Sequence, residues 1–373
     1  MTAPGVPVWE RGGWRGLPPL EGAVQVGVCV VGLGGSGLAA VHRLLELGCS
    51  VAGVDAGMIA GGAGGRNGGF LLAGTAPFHH DAVRLYGRAR AAGIYRLTLE
   101  QIGRMAKETP AAVRLVGSLR LSTSTEEDDD CLAQLEAMRA DGLDVEPYEG
   151  PEGHGLLFPR DGAYDPLLRC RTLAEQALGR GARLFEHSAA IEISGSGVRT
   201  TQGRVECGAV VVAIDGRLEQ VLPELRPRVR TARLQMLATA PTSEVMLPRP
   251  VYARYGYDYW QQLPDGRIAL GGLRDQGGEA EWTDATEPSP DIQRMLERLL
   301  RDRVGVQAPV THRWAAPVSY TDSGLPVLGE VRPGVWAAGA YSGTGNVPGA
   351  LCGRLAAELA TGGRPDGAAL FAD

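Results

Sequence analysis

The chain has 373 residues, 44% hydrophobic and 21% charged, with a net charge of −6. That length allows a large core and about two domains. An acidic balance without a basic block excludes nucleic acid as a partner.

Residues 1–22, rich in Pro, Gly and Trp, read as an extended arm. "VQVGVCVVG" (24–32) is a near-continuous apolar run, as expected of a buried parallel strand. "SGLAAVHRLLELG" follows with helical spacing, placing Leu38, Val41, Leu44 and Leu45 on one face. "SVAGVD" is a second strand, which completes a βαβ unit. The run Val26–Val41 is dense in apolar residues, but Gly32, Gly34, Gly35 and Gly37 interrupt it, so no membrane span is expected. Residues 77–118 read as helices, and the acidic "STEEDDDCLAQLEAMRADG" as another. Its carboxylates suit a helix start, where the dipole favours negative charge. A helix at 167–180 leads to strands at 182–186, 189–194 and 197–201, then to the apolar strand of "RVECGAVVVAIDG". Residues 229–273 read as a run of strands, with Tyr252, Tyr255, Tyr257 and Tyr259 alternating along one of them. A helix at 289–304 precedes a final strand, glycine loop and helix. The six scattered cysteines lack zinc spacing, so no metal site is expected, and they suit a reducing, cytoplasmic compartment. His79–His80 reads as a surface loop pair.

Gly32-Leu-Gly34-Gly35-Ser36-Gly37 matches G-x-G-x-x-G between a buried strand and a helix. Gly32 allows the tight turn, Gly34 the approach of a pyrophosphate, and Gly37 close packing of helix on strand. Asp55 stands twenty-three residues after Gly32, at the tip of the second strand, where a carboxylate accepts from ribose hydroxyls. This context predicts dinucleotide binding and leaves NAD and FAD unseparated. "GGAGGRNGG" (61–69), with six glycines in nine residues, separates them. A simple nicotinamide domain runs from the second strand into a crossover helix, whereas here a glycine backbone is free to lie along a diphosphate and a flavin ring. The alternative is a flexible surface loop. "GAYSGTGNVPG" near the other terminus again opens a helix, whose N–H groups suit the electron-rich edge of a flavin.

The segments "VVGLGGSGLAA", "GGAGGRNGG", "LFPRDGAYDPLLRCRTLAEQALGRGARL", "VVVAIDG", "YWQQLPDGRIALGG", "RWAAPVSYTDSGLPVLGE" and "GAYSGTGNVPGALCGRLAAELATG" span nearly the whole chain. In them the sequence resembles the FAD-dependent D-amino-acid oxidase superfamily, most closely its gamma-glutamylputrescine oxidase-like members. The resemblance implies an α/β fold: a Rossmann-like FAD-binding domain (23–76, 155–225 and 312–373) with an inserted substrate domain of mixed β-sheet and helices (77–154 and 226–311). It implies FAD contacts at Gly32, Gly34, Gly35, Ser36, Gly37, Asp55, Ala56, Gly62, Ala63, Gly64, Arg66, Asn67, Gly68, Gly69, Ala190, Ala213 and Gly216. Gly343, Thr344, Gly345, Asn346 and Val347 would lie at the flavin ring. The implied reaction moves hydride from the carbon next to an amine to flavin N5, and the imine then hydrolyses. Oxygen or another carrier is the electron acceptor. No catalytic side chain is assigned, because the flavin carries the hard step.

The sequence also departs from the family pattern. Val318 stands where the amino-acid oxidases place a carboxylate-gripping arginine, four residues after Trp314. No cysteine lies in the covalent attachment region near 316–322, so FAD is expected to bind non-covalently. Thr344 and Phe70 replace the usual histidine and glutamine. Tyr257, Tyr259 and Tyr341, with Trp260, are the expected substrate contacts. The leading reading is oxidation of a primary or secondary amine. The alternatives are an amino- or hydroxy-acid oxidase using another arginine, such as Arg254 or Arg274, and a flavin-fold binding protein without turnover.

Overall fold

The computed structural model describes residues 5–372; the first four residues of the predicted arm and Asp373 lie outside the described residues. Val28–Val31 is apolar and buried throughout, and such a strand fits only the interior of a covered sheet. It pairs in parallel with Val51–Val54 on one side and Ala209–Val212 on the other. Arg183–Phe185 and Val335–Gly339 add parallel strands outside these, and Val327–Arg332 closes one edge antiparallel.

The run 24–32 is not one strand, as its composition suggests. The chain breaks at Val26 and Gly27, where Gly27 N donates to Ser50 O and Ser50 Oγ (3.1 and 2.8 Å). The preceding residues Gly22–Gln25 instead join a separate four-stranded sheet beside Gly203–Glu206. Gly35–Glu46 is the helix after the glycine turn, and Asn346–Ala360 packs against it so closely that a Cβ on Gly353 would lie 2.0 Å from Ser36 O. Two ion pairs tie the far ends of these helices, Arg354 to Glu46 (2.7 Å) and Arg43 to Glu358 (2.8 Å).

A mixed eight-stranded sheet stands beside this layer, in the order Val310–Thr321, Val229–Thr239, Ile268–Gly272, Asp258–Gln262, Val251–Ala253, Ser118–Leu121, Gly153–Phe158, Glu146–Gly150. Most of Gly153–Phe158 and Val310–Thr321 falls in segments that the sequence reading gives to the FAD domain. The large sheet therefore draws strands from both sets of segments, and a strand that crosses between layers carries no compositional break. The stretch 77–118 is helical over His79–Tyr86 and Arg88–Glu108 and then turns to strand at Val113–Arg114 and Ser118.

The described part of the arm packs on its own chain. Trp9 is buried and donates to Asn67 O (2.9 Å), while Trp14 Nε1 and Leu17 N both donate to the buried carboxylate of Glu186 (2.9 and 2.6 Å). Among the described residues no helix is long and apolar enough to cross a membrane.

Candidate functional site

The glycine turn is built as its spacing requires. Gly32 adopts φ +93°, and a Cβ there would meet Ala213 O at 2.7 Å. A Cβ on Gly37 would lie 1.8 Å from Gly32 O, whereas one on Gly35 would meet nothing. The turn is therefore closed toward the sheet and open in front of the helix start. Gly34, the N-cap of Gly35–Glu46, offers no side chain to cap it, so the first N–H groups remain available to an anion. Asp55 is held at the tip of its strand by Leu33 N (2.7 Å) and Gly57 N (2.9 Å). Burial holds its carboxyl above the usual range, and these two donors offset only part of that rise.

The second glycine stretch packs against the first: a Cβ on Gly64 would lie 3.0 Å from Gly34 Cα and 3.1 Å from Gly35 N. Neither Arg66 nor Asn67 offers its side chain as freely as the sequence suggests. Arg66 donates to Gly61 O (2.8 Å), Gly5 O (2.7 Å) and Ala315 O (3.3 Å), pinning the loop to the arm and the large sheet. Asn67 donates to Ala63 O and Gly64 O (3.0 and 3.1 Å) and accepts from Gly69 N (2.8 Å). Six glycines are thus locked by two polar side chains, and the stretch is not a floppy loop. Gly69 faces the protein, since a Cβ there would meet Tyr164 O at 2.4 Å and Trp9 at 3.0 Å.

The two glycine-rich segments are joined directly. Asn346 Nδ2 donates to Phe70 O (2.8 Å), and Ser36 Oγ shares a hydrogen bond with Tyr341 OH (2.7 Å). Tyr341, expected at the substrate, does not line the cavity: it is buried, with its ring within 2.8 Å of a Cβ built on Gly345. Val347 likewise points into the core. Ala190, Ala213 and Gly216 lie by the sheet and away from the cavity, and a Cβ on Gly216 would meet Pro317 O at 2.2 Å.

One cavity of about 520 Å³ lies where these segments and the large sheet meet. Ala63, Arg66, Asn67, Gly68 and Phe70 line it from one side, and Gly343, Thr344 and Asn346 from the other. The sheet contributes Met236, Tyr252, Tyr259, Val318 and Tyr320, and the adjoining turns contribute Tyr257 and Arg274. A volume of several hundred Å³ with mainly apolar walls is that of a small-molecule site. The tyrosines do not alternate along one strand. Val251–Ala253 and Asp258–Gln262 form a hairpin, with Arg254 and Tyr255 at φ +46° and +56° in its turn. Tyr257 and Tyr259 still reach the cavity, Tyr259 in contact with Gly68 and Gly271 and edge-on to Phe70 (5.8 Å).

These residues fit an elongated flavin nucleotide. The open face at Gly35 and Asp55 would take the diphosphate and ribose. The uncapped amino end of Asn346–Ala360 would meet the ring beside the cavity. Bound FAD would supply the hydride acceptor there.

The sequence reading passed over Asp161, Tyr320, Phe78 and Phe158, all of which line the cavity. Tyr320 had a signal, standing two residues from Val318 on one strand face. Asp161 had none. It is buried and accepts from Ser118 Oγ (2.7 Å) and Ala73 N (3.1 Å); burial pushes its carboxyl up to about 7. A carboxyl harder to ionise when folded than when unfolded costs stability as pH rises from about 4 to about 7. Asp161→Asn is therefore expected to lose less stability than the parent between pH 5 and pH 8, by about 3 kcal/mol, in denaturant titrations at the two pH values. Parallel curves for the two proteins would refute it. Asp215, also pushed up to about 7 by burial, is present in both proteins and cancels.

The histidine pair is not on a surface loop. His79 is buried against Asp141 (2.7 Å) and His80 bonds Asp130 (2.8 Å), both from the first turn of their helix. His80, Asp81 and Asp130 lie close enough to share an ion, but Asp130 also pairs with Arg120 and Asp81 with Arg84.

The FAD dependent oxidoreductase (DAO) family pattern matches residues 27–359. The chain is 27% identical over 377 residues to a probable oxidoreductase OrdL of Rhizobium meliloti (strain 1021), covering 93% of this chain and 85% of that one. It is also 27% identical over 371 residues to gamma-glutamylputrescine oxidoreductase of Escherichia coli (strain K12), covering 92% and 85%. In structure it is similar to glycine oxidase from Geobacillus kaustophilus, with TM-score 0.74 and 21% identity over 92% of this chain and 96% of that one.

Proposed function

Because the chain belongs to the FAD dependent oxidoreductase family, we propose that it oxidises a primary or secondary amine in the cavity beside the flavin site. The amine loses a hydride from the carbon next to nitrogen and a proton from nitrogen. The imine so formed hydrolyses to a carbonyl compound and ammonia or a smaller amine, and the electrons leave to oxygen or another acceptor.

The observation that carries this reading is the aromatic lining that Tyr252, Tyr257, Tyr259 and Tyr320 give the cavity between the two glycine segments and the large sheet. Ring faces attract a cationic amine on entry and exclude water around the reacting carbon. Asn67 and Asn346 hold the loops on the ring side through backbone carbonyls, so the side chains at the ring are set before substrate arrives. Arg254, one of the two arginines considered for a carboxylate, is committed to Asp258 and Asp275 (2.9 and 3.0 Å).

The FAD-loaded protein is expected to lose its visible flavin absorbance under anaerobic titration with an amine from a panel of alkylamines, polyamine derivatives and amino acids. Peroxide detection on admitting air then separates oxygen from another acceptor. A protein that binds FAD but is bleached only by hydroxy acids, or by nothing in the panel, would overturn the amine reading.

A further inference from the structure

The cavity runs across the large sheet. Val318 and Tyr320 stand on the first strand in the order given above, Tyr259 on the fourth, Tyr252 on the fifth and Phe158 on the seventh. The two glycine-rich segments meet the sheet at two of these points. A Cβ on Gly343 would lie 3.3 Å from the Tyr320 hydroxyl, and one on Gly68 would lie 3.3 Å from the Tyr259 ring. Asp161 lies beyond both, where it accepts from Ser118 Oγ on the sixth strand (2.7 Å). Neighbouring strands stand about 4.8 Å apart, so this end of the cavity is about 10 Å past Tyr259 across the sheet.

Asp161 is buried and forms no ion pair among the described residues, and its two side-chain donors, Ser118 Oγ and Ala73 N, are neutral. The basic side chains around this end are held by other acids: Arg120 by Asp130, His79 by Asp141 (2.7 Å) and Arg160 by Asp144 (3.7 Å). A buried carboxylate without a counter-charge is costly, and a cation that reaches it recovers that cost. Two further groups stand ready beside it. Tyr95 and Tyr252 are buried and line the same end, and neither hydroxyl has a hydrogen-bond partner among the described residues. Burial and then the Asp161 charge push both phenols up, so both sit within its field. Phe78 and Phe158 flank Tyr252, with 6.4 and 6.3 Å between ring centres. A carboxylate, two unengaged hydroxyls and aromatic faces together suit a protonated nitrogen, which brings N–H donors and a positive charge.

We propose that Asp161, with Tyr95 and Tyr252, forms a cation-binding subsite at the end of the cavity beyond the ring-side segments, and that it takes a second protonated nitrogen of the substrate. The proposal rests on the amine reading only in assigning that cation to the substrate, since the subsite itself stands on the cavity geometry. The substrate class narrows to amines whose reacting nitrogen is joined to a second, cationic nitrogen by a chain that reaches from Tyr259 to Asp161. Asp161 then selects the substrate and takes no part in the hydride step.

The test is calorimetric titration of the FAD-loaded protein at about pH 8.5, above the Asp161 carboxyl at about 7 and below an alkylammonium at about 10. The probes are two matched pairs, tert-butylammonium against tert-butanol and tert-pentylammonium against tert-pentanol. Neither ammonium has a hydrogen on the carbon next to nitrogen, so neither is oxidised to an imine. Each is expected to bind at least about tenfold more tightly than its alcohol. Asp161→Asn is expected to weaken the ammonium ions by about ten- to hundredfold and leave the alcohols unchanged, and Tyr252→Phe to weaken them by about three- to tenfold. Equal binding of ammonium and alcohol, no measurable binding of either ammonium, or a preference that survives Asp161→Asn would overturn the proposal. If Asp161→Asn does not fold, Tyr95→Phe combined with Tyr252→Phe is the measured variant, and an undiminished ammonium preference there overturns it. A preference lost in Asp161→Asn beside a flavin that no amine bleaches keeps the subsite and sinks the amine reading. Bleaching by amines without any ammonium preference does the reverse.

Discussion

Gly37→Ala is expected to emerge colourless from purification with added FAD and to melt well below the parent. The added Cβ would sit 1.8 Å from Gly32 O and 2.9 Å from Gly32 C, both backbone atoms. Gly32 has no room to retreat: its N–H is bonded to Val54 O (2.9 Å), and its own Cβ position is 2.7 Å from Ala213 O. The helix Gly35–Glu46 must therefore lift off the sheet. Overpacking of this kind costs about 1–3 kcal/mol, and more where only backbone can yield. The lifted helix also removes the N–H groups that would face the diphosphate, so flavin affinity is expected to fall by about a hundredfold or more. Gly35→Ala is the contrast, because its Cβ meets nothing within 4 Å and the parent melting temperature is expected to persist. A Gly37→Ala protein as yellow and as stable as the parent would contradict the close packing described for this turn. Flavin absorbance per protein after gel filtration, with a thermal melt, decides it.

Glu186→Ala is expected to cost on the order of 4 kcal/mol and to free the arm. The Glu186 carboxylate is wholly buried and receives three N–H groups, from Trp14 Nε1 (2.9 Å), Leu17 N (2.6 Å) and Ile59 N (2.5 Å). The first two belong to the arm, and the third to the segment between Asp55 and the second glycine stretch. Removing the acceptor orphans all three donors, at about 1–3 kcal/mol for each that water cannot reach. Water enters on the arm side first, which lowers the sum toward the low end of what three such donors would give. The arm holds the glycine stretch through Trp9 on Asn67 O and Arg66 on Gly5 O, so its release also loosens the flavin side of the cavity. Trypsin is expected to cut at Arg11 and Arg15 in the variant well before it cuts the parent. An unchanged urea midpoint together with an unchanged digestion pattern would show that the carboxylate does not hold the arm.

The glycine turn expected to hold a nucleotide was legible as local structure in the sequence because its determinants are local. Gly32, Gly34, Gly37 and Asp55 act through a turn, a helix start and a strand tip, all within one βαβ unit. The substrate half was legible only in part. Tyr257 and Tyr259 line the cavity as expected, but from a hairpin turn and its strand, where a period-two pattern had suggested one straight strand. Tyr341 matched the pattern of a pocket tyrosine and belongs to the core, since the hydroxyl it needs is on Ser36, 305 residues away in sequence. Arg66 and Asn67 stood out in the sequence as expected cofactor contacts, but the carbonyls to which their side chains donate did not, because backbone carbonyls exposed by glycine leave no mark in composition.

The sequence by itself determined the family, the parallel sheet and the glycine turn at the helix start, because each is set by residues near one another along the chain. Only the tertiary structure decided which side chains meet in the cavity. Arg274, Asp161, Tyr320 and Val318 come from different strands and turns of the large sheet, and Asn346 closes on Phe70 across nearly the whole chain. Contacts of that span depend on strand order and register, which side-chain periodicity along one strand does not encode. The same physics explains why Arg254 and Arg274 look alike in the sequence and differ in the fold: Asp258 and Asp275 reach Arg254, and the turn after Gly272 carries Arg274 to the rings of Tyr257, Trp282 and Tyr320, with no ion pair to a carboxylate among the described residues.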